Sequence, residues 1–260
     1  MGYMSIRSLM DYTFVSKYAR WIPEKKRRET WNECVERVKE MMLSKYSDIP
    51  EASGDIEWAY DMVRKKKVLG SQRALQFGGS PIFKHNARIY NCITSYCDRL
   101  RFFQECMYLL LCGCGTGFSV QKHHIANLPK LVKNKKETKK FVIPDTIEGW
   151  SDAVGLLVSS YFDQDELFPE YQGKNINFDY SEIRPAGAYL NSSGGKAPGS
   201  GPLKKALSSI RKVLDAALKN LDFCDESIRV LKPIEAYDIV MYSADAVISG
   251  GVRRSATICL

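Results

Sequence analysis

The sequence predicts an α/β protein with a helical N-terminal region, and three observations support this. Apolar residues recur at helical spacing near the N-terminus, and further along short β-prone segments alternate with helical stretches. Apolar residues make up 45% of the chain and charged residues 26%, as in ordinary globular proteins. With 260 residues the chain has room for a helical subdomain, residues 1–70, and an α/β region, residues 71–260.

The N-terminal region is predicted to contain two helices. Over residues 29–44 one helical face is apolar and is expected to be buried. Its residues are Trp31, Cys34, Val35, Val38, Met41 and Met42. A second helix is expected over residues 56–68, after a loop that contains Pro, Gly and Ser.

The α/β region is predicted to begin with short strands around one buried helix. The segments "RALQFGG", "ARIYNCITSY" and "GTGFSVQK" read as β, and "LRFFQECMYLLLC", between the last two, reads as helix. Strand, helix and strand in this order indicate a crossover unit with parallel strands. Three further helical stripes follow, the first entered through "PDTIEGW", where Asp145 is the expected cap.

Charge and cysteine content narrow the class of function. A net charge of +8 suits a polyanionic partner, either a nucleic acid or a phosphorylated small molecule, although the basic runs 23–28 and 130–140 also read as solvated loops. Neither run interleaves aromatic residues, as a single-strand binding groove would. Eight cysteines without a C-x-x-C spacing indicate reduced thiols rather than a zinc ribbon. Without a secretory signal or a long apolar stretch, a cytoplasmic protein is expected.

Three glycine- or arginine-containing motifs are open to more than one interpretation. "GCGTGFSV" follows a helix and precedes a strand, so it is not a dinucleotide-binding fingerprint. Arg253 and Arg254 in "GGVRRSA" either bind phosphate or serve a structural purpose at a helix end. The glycine-rich stretch 178–203 is either a linker or a functional loop.

Seven stretches in the same order resemble one known family. They are "YARWIPEKKRRETWNECVERV", "GSQRALQFGG", "NC" at 91–92, "GCGTGFSV", "PDTIEGW", "SEIRPAGA…GG…SGPL" and "GGVRRSA". Together they resemble the adenosylcobalamin-dependent (class II) ribonucleotide reductases, in particular the ribonucleoside-triphosphate reductase type. The resemblance implies the first half of a ten-stranded α/β barrel, preceded by a helical N-terminal subdomain.

The resemblance also implies a role for Cys92, as one of two thiols that reduce the ribose and end as a disulfide. Removal of the 2′-hydroxyl needs two electrons, which a thiol pair supplies. Cys97 is not the partner if both lie on one strand, because five residues of strand span roughly 16 Å. The family places the partner beyond residue 260.

Other residues acquire expected roles from the same resemblance. The expected substrate-binding residues are Ser71, Arg73, Asn91 and Gly115. The loop 181–202 resembles the specificity loop that links a dNTP effector to the substrate base, with Arg184, Gly187, Gly194 and Gly195. Between "GFSV" and "PDT" the chain is shorter than the monomeric triphosphate-reducing type, whose insertion there builds an effector site.

The expected activity is part of a ribonucleotide reductase that makes deoxyribonucleotides for DNA synthesis, with adenosylcobalamin as cofactor and a thioredoxin-like reductant. The chain lacks the "NPCGE" motif of the radical cysteine. A complementary C-terminal half is therefore expected as partner, whether the chain is a natural split subunit or a truncated, for example intein-interrupted, product. The alternatives are a class I large-subunit fragment, an inactive nucleotide-binding or regulatory fragment, and a nucleic-acid-binding module. Neither membrane association nor direct nucleic-acid binding is expected.

Overall fold

The structure is a computed structural model that describes residues 6–132, 137–163, 167–188, 196–221, 230–249 and 256–260. Its chain divides into two compact units, Met1–Tyr90 and Asn91–Leu260. The boundary expected from the sequence, between residues 70 and 71, falls inside the first of these units and stays a prediction.

The first unit is built from helices and one short hairpin. Its elements are α1 (Ile6–Lys17), the antiparallel strands β1 (Trp21–Ile22) and β2 (Arg27–Arg28), α2 (Trp31–Lys45), α3 (Ala52–Arg64), α4 (Gln72–Phe77) and α5 (Ser80–Lys84). The helix α2 begins with a capping box, in which Thr30 accepts from the Glu33 amide and Glu33 accepts from the Thr30 amide. Both predicted helices are confirmed, although α3 begins and ends earlier than the sequence indicates.

One predicted strand in this unit is wrong. The segment "RALQFGG" was expected to be β, yet residues Gln72–Phe77 form the helix α4. Gln, Arg, Ala and Leu all favour helix, and the segment shows no strict alternation of apolar and polar residues. Two glycines then end the helix, the second with a φ of 86° that favours glycine.

The second unit contains two parallel sheets and the helices that cover them. Its strands are β3 (Cys92–Tyr96), β4 (Gly115–Ser119), β5 (Thr138–Val142), β6 (Asn175–Asp179) and β7 (Thr257–Cys259). One sheet has the order β3-β4-β7 and the other pairs β5 with β6, with every pairing parallel. The helix α6 (Arg101–Leu111) connects β3 to β4, so the predicted crossover unit is confirmed.

A large apolar core fills the second unit. Besides α6, it involves the helices α8 (Ile147–Ser159), α9 (Gly201–Leu221) and α10 (Pro233–Ser249), while the short α7 (Lys122–Ile125) follows β4. The predicted stripe on α8 is buried throughout, from Trp150 to Tyr161. The cap of this helix is Thr146, whose hydroxyl accepts from the Gly149 amide, rather than Asp145. Among the described helices, none combines the length and apolar character needed to cross a bilayer.

Candidate functional site

Cys92 is the first residue of β3 and its side chain is exposed. The run "CITSY" is rich in β-branched and aromatic residues, which favours a strand. Because side chains alternate along a strand, Cys92, Thr94 and Tyr96 lie on one face, and all three are exposed. The thiol therefore sits at the beginning of an accessible row of side chains.

Glycines on the neighbouring strand keep the space beside this row open. Gly115 pairs with Cys92, and a Cβ built on Gly115 would lie 3.4 Å from the Cys92 Sγ. Gly117 pairs with Thr94, and a Cβ there would lie 3.0 Å from the Thr94 Cγ2. The Gly115 amide also donates to the Asn91 carbonyl at 2.7 Å. The alternate glycines of "GTGFS" thus lower the sheet surface next to the thiol.

The opposite face of the same sheet is covered. Phe118 is 1% exposed, with its ring centroid 6.1 Å from that of Phe102 on α6 and 6.3 Å from that of Tyr237 on α10. The sheet therefore has one face fixed by the apolar core and one face that carries Cys92 in the open. A site on such an element is held rigidly from behind.

The other described cysteines differ from Cys92 in burial or in direction. Burial raises the pKa of the Cys106 thiol to about 12 and also raises the pKa of Cys97, so both thiols are poor nucleophiles. Cys112 and Cys114 are buried as well. Cys259 is exposed, but it pairs with Phe118, three residues along β4 from Gly115, and so lies on the opposite face from Cys92.

The segment with the two remaining predicted substrate residues belongs to the first unit. Ser71 precedes α4, is exposed, and makes no capping hydrogen bond through its side chain. The Arg73 guanidinium lies 5.6 Å from the centroid of the Phe77 ring. Ser71 thus lies just before a short helix, and Arg73 lies on that helix rather than on the strand that the sequence suggested.

The predicted specificity loop has a well-defined base. Arg184 forms an ion pair with Asp145, just before α8. Gly187 has a φ of 88° and donates to the Ala197 carbonyl at 2.8 Å, while the Ala197 amide donates to the Ala188 carbonyl at 2.7 Å. These bonds bring the two ends of the loop together. Gly194, Gly195, Arg253 and Arg254 lie outside the described residues.

Sequence reasoning thus found Asn91, Cys92 and Gly115, which the structure brings together on one edge of the sheet. It missed Thr94 and Gly117 on the same face, although the alternation of side chains along a strand carries that signal. It also missed Asp145 as the partner of Arg184, because the two are far apart in sequence. Within the residues searched, no group of three or more His, Cys, Asp or Glu side chains could hold a metal ion.

Comparison with known proteins gives one consistent likeness. A family model described as the insertion domain of B12-dependent ribonucleotide reductases matches residues 120–214. The adenosylcobalamin-dependent ribonucleoside-triphosphate reductase of Lactobacillus helveticus (strain DPC 4571) is 27% identical over 95% of this chain and 40% of its own length. The reductase of the same description from Euglena gracilis is 28% identical over 96% of this chain and 34% of its own length.

A solved structure supports the fold. A B12-dependent (class II) ribonucleotide reductase matches with a TM-score of 0.78 at 24% identity, over 95% of this chain and 41% of that one. The predicted fold class, part of the reductase α/β barrel, is confirmed by this likeness, and so is the predicted resemblance to the cobalamin-dependent type. The chain spans about 40% of the length of the Lactobacillus relative. The aligned region there covers 312 residues, more than the 260 of this chain, so the relative carries residues that this chain lacks.

Proposed function

We propose that this chain is part of an adenosylcobalamin-dependent ribonucleotide reductase, in which Cys92 is one of the two thiols that reduce the ribose. The observation that carries the proposal is the position of Cys92, exposed on an open sheet face beside Gly115 and backed by a packed core. The cobalamin-dependent relatives favour this assignment over a class I large subunit.

The chemistry requires a second thiol. Two thiols lose two electrons and two protons as one S–S bond forms. The ribose C2′–O bond breaks, a C2′–H bond forms in its place, and the oxygen leaves as water. Cys97 and Cys106 are buried and Cys259 lies on the other sheet face, so none of these is the partner. In our proposal the second thiol belongs to a complementary polypeptide, and a thioredoxin-like dithiol reduces the resulting disulfide.

The open face supports the need for that polypeptide. Tyr96 is 55% exposed, and Ile258, opposite Gly117 on the same face, is 61% exposed. Apolar surface of this kind is stabilised when another element covers it. The complementary half would close the barrel over Cys92 and exclude water from the substrate.

The substrate in this proposal is a ribonucleotide, and a dNTP effector acts through the loop whose base is held by Arg184. Gly115 leaves room for the ribose beside the Cys92 thiol, and Asn91 is a further substrate-binding residue of this proposal. In the first unit, Ser71 and Arg73 are the residues proposed to bind a nucleotide phosphate. Adenosylcobalamin would supply the radical that starts the reaction, and in this proposal most of its site lies outside this chain. Free cysteines throughout the described chain agree with a cytoplasmic location.

Reconstitution tests this proposal. The chain is mixed with a polypeptide that carries the "NPCGE" half, adenosylcobalamin, a dithiol and a ribonucleotide, and deoxyribonucleotide is assayed. We expect product with the wild-type chain, and a loss of at least about a thousandfold with Cys92→Ser, since serine cannot form the disulfide.

Cys259→Ser is the matched control, because it changes the other exposed thiol among the described residues, on the opposite face, and should leave turnover unchanged. Equal activity of Cys92→Ser and wild type would exclude Cys92 as the reductant. Tight association of the two halves without product would favour a regulatory or inactive fragment.

A further inference from the structure

Two partly buried arginines and one buried glutamate form a charged cluster in the first unit, outside the site described above. The Arg37 guanidinium meets Glu29 through two hydrogen bonds, from Nε to Oε1 at 2.7 Å and from Nη2 to Oε2 at 2.8 Å. Glu29 is 7% exposed, and it also accepts from the Arg20 amide at 3.1 Å. A forked arginine–carboxylate pair of this kind is geometrically specific.

Both guanidinium groups also donate hydrogen bonds to backbone carbonyls at the end of α4. Arg37 donates to the Leu75 carbonyl at 2.8 Å and to the Gly78 carbonyl at 3.0 Å. Arg20 donates to the Gly78 carbonyl at 2.7 Å and to the Gln76 carbonyl at 3.2 Å. The last carbonyls of a helix lack partners within the helix, so these two side chains satisfy them.

The glycine at the end of α4 makes this approach possible. A Cβ on Gly78 would lie 2.6 Å from the Ala74 carbonyl oxygen, 2.9 Å from the Val38 Cγ2 and 3.2 Å from the Arg37 Nη1. Any side chain there would push α4 away from α2 and from the arginines. The lack of a side chain at Gly78 therefore leaves room for the two guanidinium groups.

The clamped backbone surrounds Phe77, which is fully buried. Its ring is contacted by two guanidinium groups, Arg73 at 5.6 Å and Arg88 at 5.7 Å from the centroid. Arg20 binds the carbonyls of Gln76 and Gly78, on both sides of Phe77, and so restricts the position of the Phe77 ring. The Arg73 guanidinium packs on that ring, so its position is restricted as well.

Burial of two like charges beside one carboxylate has an electrostatic cost. Burial, followed by the positive charge of Arg37, lowers the pKa of Arg20 to about 10. This electrostatic cost arises at the end of α4, although an ordinary helix terminus needs no such cluster of charges. Such an arrangement favours a role in positioning over stability alone.

We infer that Glu29, Arg37 and Arg20 are positioning residues, which fix the end of α4 and, through Phe77, the Arg73 guanidinium for a nucleotide phosphate. The inference rests on the proposed function, since the contact between Arg73 and the phosphate is part of that proposal. Glu29 does not touch the nucleotide; it acts by orienting Arg37.

Hydrogen exchange in the full chain tests the clamp without any nucleotide. Glu29→Gln keeps the shape of the side chain and removes its charge. We expect faster exchange of the amides in residues 72–79, by about tenfold, with no change in the second unit. The matched control is Glu36→Gln, on α2, whose side chain is 40% exposed and pairs with Lys39 and Arg64 away from α4. Unchanged exchange in Glu29→Gln overturns the inference.

Nucleotide affinity tests the consequence. With the complementary half present, the dissociation constant of a ribonucleoside triphosphate is measured for Arg73→Ala, Glu29→Gln and the double variant. We expect each single change to weaken binding by about tenfold, and the double variant to bind no more weakly than Arg73→Ala, because Glu29 acts through Arg73. Arg20→Lys keeps the charge but loses the guanidinium that donates to the Gln76 and Gly78 carbonyls. It is the milder variant and should also weaken nucleotide binding.

The possible failures are distinguishable. If Arg73→Ala weakens binding and Glu29→Gln does not, or if the two effects add, the positioning inference is overturned while the proposed function stands. If Arg73→Ala leaves the affinity unchanged, the assignment of Arg73 in the proposed function is wrong, and the inference falls with it.

Discussion

Different interactions stabilise each of the two units of the molecule. In the second unit, large side chains such as Phe102, Phe118 and Tyr161 are buried in one continuous core. The apolar cluster of the first unit is small. Charged side chains, above all Arg20 and Arg37, also stabilise this unit by donating hydrogen bonds to backbone carbonyls.

This difference shows two ways in which one chain can fix the positions of its structural elements. Apolar burial is non-directional and grows with the buried area, so it gives the second unit a rigid platform behind Cys92. Charged hydrogen bonds are directional, so they can place one short helix closely with little core to support it. The first unit should therefore be sensitive to charge and the second to side-chain volume.

The largest expected effect is on the core of the second unit. Phe118→Ala should lower the free energy of unfolding of that unit by about 4 kcal/mol, since it removes a buried ring and leaves a cavity. Phe83→Ala in the first unit is the control, because its ring is 50% exposed and its loss should cost under about 1 kcal/mol. Denaturant titration followed by hydrogen exchange measures both; equal effects would contradict the contrast between the units.

A smaller effect is expected when the charged cluster of the first unit is broken. Arg37→Met should cost about 3 kcal/mol, because Glu29 stays buried without its partner. The double variant Arg37→Met with Glu29→Gln should recover part of that loss, since the uncompensated charge is gone. If the double variant is no more stable than the single one, volume rather than charge governs this region.

The smallest effect is expected from acid. Hydrogen bonds from Arg27, then Lys25 and the Thr30 amide, hold the pKa of Glu33 well below its ordinary value of 4.5. The unfolded chain therefore binds this proton first, so the contribution of Glu33 is complete above about pH 4.5 and is lost as the pH falls further. Between about pH 4.5 and pH 3, the protection factors of amides in the β1–β2 hairpin should fall, after correction for the slower intrinsic exchange in acid, while those in β4 stay high.

Glu33→Gln provides the control for the acid experiment. Its hairpin should exchange faster already at pH 7 and should change less on acidification. In the second unit, hydrogen bonds from Lys140 and from the Ser181 amide lower the pKa of Asp179 to about 2, so some acid sensitivity is expected there too. Simultaneous loss of protection in the hairpin and in β4 would argue against independent responses of the two units.

The sequence predicted the parts of the fold that local pattern determines. The β-branched run that begins at Cys92 predicted β3, and the apolar stripe from Trp150 to Tyr161 predicted α8. The motifs shared with the reductases predicted the likeness that the comparisons confirm. Side-chain alternation along the strand also predicts that Cys92 and Thr94 share a face.

The remaining features depend on contacts between residues distant in sequence. "RALQFGG" contains residues that favour helix, but it is too short for its pattern alone to decide, and the carbonyls at the end of the helix are bound by the distant Arg20 and Arg37. The pairing of Arg184 with Asp145 joins two loop positions that are 39 residues apart in the sequence. Long-range pairing of charges leaves no periodic signal in a single sequence.

The hydrogen bonds between Gly187 and Ala197 and between Ala197 and Ala188 have a consequence for evolution. They close the loop at its base, so the two chain ends that leave it are adjacent whatever lies between them. Lengthening such a closed segment costs only about 0.6 kcal/mol for each doubling of its length. Selection can therefore insert, delete or exchange residues between the two closed ends, while the barrel strands and Cys92 keep their places.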